Sequence, residues 1–414
     1  MSSQSPAPAV DGPTSRVGLR PRRLPTSVPV VAFGLPLDDS YGRQIFQGIL
    51  AYLRKHPRWQ IPVRNNTPYL PWSSLRRWRG DGIIGIFVSE EQFAEVERLG
   101  IPAVNLSPPM GTVERLPTVR VDDRAIGVAV AEHLLRLGRR NFLFFGDPRL
   151  SFCRLRYEGF SSTIKAAGGR VSSEAIPLHP DVGQLIKSGW YMEAIRRVPK
   201  PAGVYGATDR IAFGILEACR KRNLHVPSDV AVVGTNADDI LCQLATPELS
   251  SVDSSSFQVG YHAAHMLDHL MGRSPTAPEL RLIPPGPIHI RASSDNLADT
   301  DPDLAAAIRF IREHATEPIY VPDVVRANRL SRRSLEILFR KFLNRSIAEE
   351  IRLAHLNNAK SLLEKTSLTI SEIARLSGFS SAVSLEAAFQ KFEGTSATAY
   401  RRKTALNTPS DGPA

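Results

Sequence analysis

The stretch SLEILFRKF at positions 334–342 recurs as SLEAAFQKF at positions 384–392, with Ser, Leu, Glu, Phe, Lys and Phe at matching places. Upstream, VVRANRLS at 324–331 matches IARLSGFS at 373–380. Each copy predicts a short helix, a tight turn and a second helix, and we expect Ser331 and Ser380 to cap the second helices. Gly378 supplies the turn of the second copy, where a left-handed backbone is expected. The sequence therefore predicts an all-α region with two helix-turn-helix units.

The second helix of such a unit fits the major groove of DNA, and its early exposed residues contact base edges. In the first copy the exposed candidates are Ser331, Arg332, Arg333, Glu336 and Arg340. In the second copy they are Ser381, Ala382, Val383, Ser384, Glu386, Ala387 and Gln390. The apolar residues of both helices, such as Leu335 and Leu385, fall on the opposite face and are expected to form the core.

The two copies differ in chemistry. The first is richer in arginine and is expected to dominate phosphate and guanine contacts, whereas the second offers small and amide groups suited to thymine methyl or adenine edges. A long helix over 347–364 lies between them. It would hold the copies rigidly, so that both contact one face of DNA one helical turn, ~34 Å, apart. The alternative is a helical bundle that only resembles helix-turn-helix units.

Residues 304–403 resemble the AraC/XylS family of transcription factors. The resemblance rests on ISEIARLSGFS at 370–380, FQKFEGTS at 389–396, and Tyr400 and Arg401. The family usually has a proline where this chain has Ala397 and an aromatic residue where it has Leu385. The resemblance implies sequence-specific binding to a double-stranded DNA operator, commonly with transcription activation and hence RNA polymerase as a further partner.

Length, charge and cysteine content limit the number of domains, the class of partner and the cellular compartment. Its 414 residues suit two or three domains, and the net charge of +11 suits a polyanionic partner. The three widely spaced cysteines favour buried thiols in a reducing compartment over disulfides or zinc. Residues 1–26 and 405–414 have the composition of disordered tails, without a secretory signal. With no apolar run long enough to span a membrane, the protein is expected to be cytoplasmic.

Apolar strands alternate with amphipathic helices between residues 27 and 297, which predicts a parallel sheet covered on both faces. That length suits two doubly wound α/β lobes with a ligand cleft at the carboxyl ends of their strands. The pattern ends in a polar stretch at 292–300 that is expected to be a linker. The all-α domain is placed at 298–404. Strands are expected near 28–35, 82–88, 102–106, 118–121, 141–146, 203–206 and 230–234, and helices near 40–55, 90–99, 124–137, 155–167, 210–223 and 258–271. A proline-rich edge segment is expected near 280–290.

This first half resembles the periplasmic-binding-protein fold of LacI/GalR-type sugar-responsive repressors. Its position ahead of the DNA-binding domain, and the stretch SYGRQIFQGILAYL at 40–53, resemble xylose-operon regulators. The resemblance implies a small effector, a monosaccharide such as a pentose, and identifies Arg156, three residues before Gly159, as the ligand arginine. Asn236 stands where the family usually has aspartate.

Polar residues at strand ends are further candidates for holding sugar hydroxyls, although each is also a reasonable helix cap or surface charge. They are Asp39, Tyr41, Arg43, Asp122, Thr208 and Asp209. A ligand that closes the lobes is expected to change how two such domains pack in a homodimer.

Enzyme motifs are weak. GDGIIG at 80–85 spells a dinucleotide-loop pattern, but its glycines enter a strand instead of opening a helix. HExxH, GxSxG and Walker A patterns do not occur. We expect no catalytic residue, metal or cofactor. The alternative function is a sugar-binding or enzymatic α/β protein whose helical part is an interaction module.

Overall fold

A computed structural model describes residues 28–56, 59–63, 71, 74, 77–108, 115–176, 182–272, 279–295, 301–366 and 368–406. The predicted tail at 1–26, and residues 407–414 of the tail predicted at 405–414, lie outside the described residues. Within these ranges, none of the helices combines the length and apolar character that crossing a bilayer requires.

The first lobe is built on a parallel five-stranded sheet. Its strands lie side by side in the order β1 Val31–Gly34, β2 Gly82–Gly85, β3 Ala103–Asn105, β4 Thr118–Val121 and β10 Leu280–Ile283. Its helices are α1 Ser40–Lys55, α2 Glu90–Leu99 and α9 Ser256–Gly272. Strand β2 begins at Gly82, so the glycines of 80–85 enter a strand, as predicted, and no phosphate-binding turn forms there.

The second lobe has six strands in the spatial order β11, β9, β8, β7, β5, β6, all parallel except the β11–β9 pair. The strands are β5 Asn141–Gly146, β6 Arg170–Ala175, β7 Ala202–Gly206, β8 Val230–Thr235, β9 Ser250–Val252 and β11 Ile288–His289. The helices are α3 Asp123–Arg136, α4 Ser151–Ala166, α5 Val182–Ser188, α6 Trp190–Arg196, α7 Asp209–Lys221 and α8 Asp239–Leu244, followed by a 3-10 turn over Ala292–Ser294.

The chain crosses between the lobes three times, after β4, after β9 and after β10. These connections are hydrogen-bonded side by side. The Asp122 amide donates to Ile283 O (2.8 Å), the Asp253 amide to Pro287 O (3.0 Å) and the Gly286 amide to Asp253 O (2.9 Å). The predicted pair of doubly wound lobes is confirmed, and this triple connection joins them.

Every regular element that the structure describes from residue 301 onward is a helix. These helices are α10 Pro302–Glu313, α11 Val321–Arg326, α12 Arg332–Leu343, α13 Ile347–Lys365, α14 Ile370–Leu376, α15 Ala382–Glu393 and α16 Ala397–Leu406. One apolar cluster includes Leu335 and Phe339 of α12, and a second includes Leu385 and Phe389 of α15. Helix α13 contributes to both clusters, as expected of the predicted connecting helix.

Two predictions about the helical domain need correction. Ser381, not Ser380, caps α15. The second copy has one more residue in its turn than the first, so the residue that corresponds to Ser331 as a cap is Ser381. The last helix runs to Leu406, so residues 405 and 406, predicted to begin a tail, are helical.

Candidate DNA interface and ligand cleft

Gly378 forms the turn between α14 and α15 with a left-handed backbone (φ 81°), as predicted. A Cβ there would lie 2.6 Å from both Glu317 O and His355 Nε2, so only glycine fits. The first copy closes its turn differently, because the Asn328 side-chain amide donates to Val324 O (2.7 Å) at the end of α11. Both copies thus have helix-turn-helix geometry with different turn chemistry.

Helix α12 presents a basic outer face. Ser331 caps its N-terminus by accepting a hydrogen bond from the Ser334 amide (3.2 Å). Arg332, Arg333 and Arg340 are exposed, while Leu335 is fully buried beneath them. A shallow, wide-open concavity lies along this face. Its lining residues are Arg332, Arg333, Glu336, Ile337, Arg340 and Lys341.

Helix α15 presents a less charged outer face. Val383 is 78% exposed, Ala387 and Gln390 are exposed, and Ala382 is partly exposed. Ser381 caps the helix, and the Ser384 hydroxyl donates back to Ser381 O (2.7 Å).

Glu386 has a structural partner that the sequence did not suggest. Its carboxylate accepts a hydrogen bond from the Ala397 amide (2.9 Å) at the first residue of α16. This bond satisfies a free amide at the helix N-terminus. The predicted base contact by Glu386 would therefore compete with the anchoring of α16.

Glu349 links the connecting helix α13 to α15 of the second helix-turn-helix unit. It completes a capping box with Ser346 at the start of α13 and pairs with Lys391 of α15 at 2.9 Å. The hydrogen bonds from Ser346 and from the Lys391 ammonium lower the pKa of Glu349 to about 2. The carboxylate is therefore charged at neutral pH, and it joins α13 to α15.

Arg156 is the predicted ligand arginine. Its guanidinium is buried, pairs with Asp123 Oδ1 at 2.9 Å, donates to Ala207 O and lies over the Phe152 ring at 5.0 Å. Helices α3 and α4, which carry the pair, cross closely because Gly127 and Gly159 face each other's backbone. A Cβ at Gly127 would fall 2.0 Å from Arg156 O. The other oxygen of Asp123, Oδ2, is buried without a hydrogen-bond partner among the described residues.

Tyr41 and Arg120 lie close enough to this ion pair to interact with it electrostatically. Burial, and then the Asp123 carboxylate, raise the pKa of Tyr41. Tyr205 adds its hydroxyl, paired with Thr235 Oγ1 at 2.9 Å. The sequence prediction includes Arg156 and Tyr41 but misses Asp123, Arg120, Phe152 and Tyr205. Two aspartates, Asp122 and Asp123, follow β4, and this pair is the sequence feature that could have pointed to Asp123. The prediction took Asp122 because it comes directly after the strand.

Three predicted ligand residues cap helices. Asp39 accepts from the Gly42 amide (2.8 Å), Asp122 from the Ala125 amide (3.0 Å) and Thr208 from the Ile211 amide (3.4 Å). Asp209 is buried and accepts from the Asp238 amide (2.7 Å) and from the Ser251 hydroxyl. Burial raises the pKa of Asp209 to about 6 despite these bonds. The caps fix the strand-end loops around Arg156, and capping is the alternative role that the sequence allows for these residues.

Arg43 and Asn236 lie where the two lobes meet. Arg43 is 3.9 Å from Asp238, and the Gln44 amide donates to Asn236 O (3.2 Å). Asn236 has a left-handed backbone (φ 111°), and no described residue bonds its buried Oδ1. First-lobe helix α1 thus touches the loop after β8 of the second lobe.

Known protein families match both the α/β part and the helical part of the chain. A family model of a periplasmic binding protein-like domain matches residues 131–294, and one of a helix-turn-helix domain matches residues 324–403. The xylose operon regulatory protein of Escherichia coli K12 is 28% identical over 372 residues, which cover 88% of this chain and 94% of that protein. Its Haemophilus influenzae counterpart is 27% identical, covering 86% and 94%.

Solved structures of similar regulators have the same fold over the parts that match this chain. The structure of the xylose-binding transcription activator superposes with a TM-score of 0.58 at 25% identity, covering 91% of this chain and 99% of that one. A LacI family regulator from Enterococcus faecium with bound ribose has a TM-score of 0.52 at 20% identity over 64% of this chain, which supports the fold of the first half alone. The resemblances stated from the sequence are confirmed.

Proposed function

We propose that this ligand-controlled DNA-binding transcription regulator, with a periplasmic-binding-protein-like sensor ahead of two helix-turn-helix units, binds a pentose between its lobes. The buried Arg156–Asp123 pair carries the proposal, because it leaves Asp123 Oδ2 without a partner among the described residues of the cleft. D-xylose is the first candidate, since the similar regulators are named for xylose.

The chemistry of the cleft suits sugar hydroxyls. A guanidinium donates to adjacent hydroxyls in a fixed fork, and a carboxylate oxygen accepts from them. Phe152 and Tyr41 supply apolar ring surface beside Arg156, as sugar pockets require. A sugar in contact with both lobes would favour their closed arrangement, and it can shift the equilibrium only by its difference in affinity for the two states.

The operator would be contacted by α12 and α15, with the sensor at residues 27–297 and the DNA-binding domain at 298–404. The proposed base- and phosphate-contacting set remains Ser331, Arg332, Arg333, Glu336, Arg340, Ser381, Ala382, Val383, Ser384, Glu386, Ala387 and Gln390. We also propose a cytoplasmic homodimer acting on RNA polymerase. Sedimentation that shows only monomer, with and without DNA, would contradict the dimer.

A thermal-shift screen of the full chain against pentoses, hexoses and their phosphates tests the sensor. Ligand at about 100 times its dissociation constant adds ~2.7 kcal/mol to the stability of the domain that binds it. We expect a shift with D-xylose that Arg156→Ala abolishes. Arg154→Ala is the matched control, because Arg154 is on the same helix but its side chain is 47% exposed and pairs with Glu158.

Salt dependence tests the DNA-binding half. A protein that neutralises six or more phosphates loses ~10³-fold or more in affinity between 50 and 200 mM salt. A flat response would instead support the alternative, a sugar-binding or enzymatic protein with a helical interaction module.

A further inference from the structure

The outer face of α12 contains one large apolar side chain among charged ones. Ile337 is 57% exposed and lines the same concavity as Arg333, Arg340 and Lys341. Its neighbours in sequence that face inward, Leu335 and Phe339, are fully buried in the first apolar cluster. Ile337 therefore contributes to the outer surface of the helix and not to the core.

Exposure alone is ordinary for an isoleucine, but Ile337 also lies among cations on one face of the helix. Side chains three and four residues apart on a helix are neighbours on one face. Arg333 lies one turn before Ile337, and Arg340 and Lys341 lie one turn after it. If these cations bind phosphates or guanines, as the proposed function requires, Ile337 lies between them against the base edges.

We propose that Ile337 is a specificity-determining residue that packs against the 5-methyl group of a thymine in the major groove. The methyl group is the apolar feature that a thymine presents there, and an aliphatic side chain gains by covering it. The assignment rests on the DNA-binding function proposed above and adds a base preference to it.

The second copy has the opposite arrangement. Val383, 78% exposed, is in the place that Arg333 has in the first copy, and Ala387 is in the place of Ile337. The aliphatic contact thus lies one helical turn earlier in α15 than in α12. Each helix-turn-helix unit contacts its own segment of DNA, called here its half-site. We expect the two units to prefer thymine at different positions of their half-sites. The DNA contacted by one chain would then consist of two non-identical half-sites.

Uracil interference tests the proposal. Duplexes bound by the full chain are first enriched from a random library, with and without D-xylose. Thymines of an enriched duplex are then replaced singly by deoxyuridine, which removes only the methyl group. For the wild-type protein we expect a loss of about fourfold at one thymine of the first half-site, the effect of removing one methyl group from a packed contact.

Ile337→Ala should abolish sensitivity to deoxyuridine at that thymine and leave the other thymine effects unchanged, whereas Ile337→Val should retain it. Val383→Ala is the matched control and should abolish sensitivity at a thymine of the other half-site. If Ile337→Ala retains every wild-type interference position, or the wild type has none, the proposal is overturned while DNA binding stands. If no duplex is enriched, the proposed function fails and the proposal fails with it.

Discussion

Arg156 and Asp123 compensate each other's buried charge as well as forming the candidate binding site of the sensor. Both side chains are almost fully buried. Removing one partner of such a pair leaves an uncompensated charge and typically costs about 3–5 kcal/mol. Arg156→Ala should therefore lower the melting temperature of the sugar-free protein as well as abolish the response to sugar. Calorimetry of the full chain measures both effects.

A double variant separates the two roles. Asp123→Asn with Arg156→Met removes both charges and retains similar side-chain volumes, so most of the lost stability should return. The sugar-induced shift should stay absent, because neither the guanidinium nor the carboxylate remains. A double variant that responds to D-xylose like the wild type would place the sugar site elsewhere.

Gly378 is the residue on which the second helix-turn-helix turn depends. Alanine there would adopt a left-handed backbone and also collide with Glu317 O. Gly394 is the matched control, because it is also left-handed (φ 65°) but no described heavy atom lies within 4 Å of the position that a Cβ would take. We expect Gly394→Ala to cost ~1 kcal/mol of stability and Gly378→Ala ~2–5 kcal/mol. Equal losses in urea unfolding of the full chain would show that the contact with Glu317 is unimportant.

At the scale of elements, the predicted helices with polar caps agree best with the structure. The predicted bounds of α1 and α2 are those observed, because Asp39 and Ser89 cap them and apolar residues recur at helical spacing. Strand β6 was missed, because Arg170–Ala175 is a largely exposed edge strand without an apolar run. Asp123 was missed because its ion pair with Arg156 depends on how α3 and α4 pack against each other. The spacing of residues along the chain does not show that packing.

Helix α13 supports the two DNA-binding units through separate parts of its length. Ile351 belongs to the first apolar cluster and Leu356 to the second. Replacing either by alanine should cost about 2–5 kcal/mol, mostly in the unit it supports. We therefore expect Leu356→Ala to shorten a DNase footprint at the half contacted by α15, and Ile351→Ala to shorten it at the other half. Loss of both halves in each variant would mean that the two units fold and bind as one.

At the scale of the whole molecule, the DNA-binding domain follows the second lobe through the 3-10 turn at Ala292–Ser294. The Ser293 hydroxyl donates to Val232 O (2.7 Å) of β8, and His133 near the end of α3 bonds Ser294 Oγ at 2.8 Å. The first residue of α3 is Asp123, the partner of Arg156. One helix, ~21 Å long, thus runs from the candidate sugar site to the segment that leads into the DNA-binding domain.

The next residue, Asp295, continues this connection by pairing with Arg312 of α10 at 2.6 Å. If the pair transmits sugar binding, Arg312→Ala should reduce the ratio of operator affinities measured with and without D-xylose. The side chain of Arg312 is 35% exposed, so the reduction should be modest, up to about fivefold. Arg309→Ala, at an exposed arginine one turn earlier on α10, should leave the ratio unchanged. Exchanging the charges, with Asp295→Arg and Arg312→Asp together, should restore part of the ratio if the ion pair itself matters. An unchanged ratio in Arg312→Ala would show that the sugar signal reaches the DNA by another contact, such as the packing of two sensors in the proposed dimer.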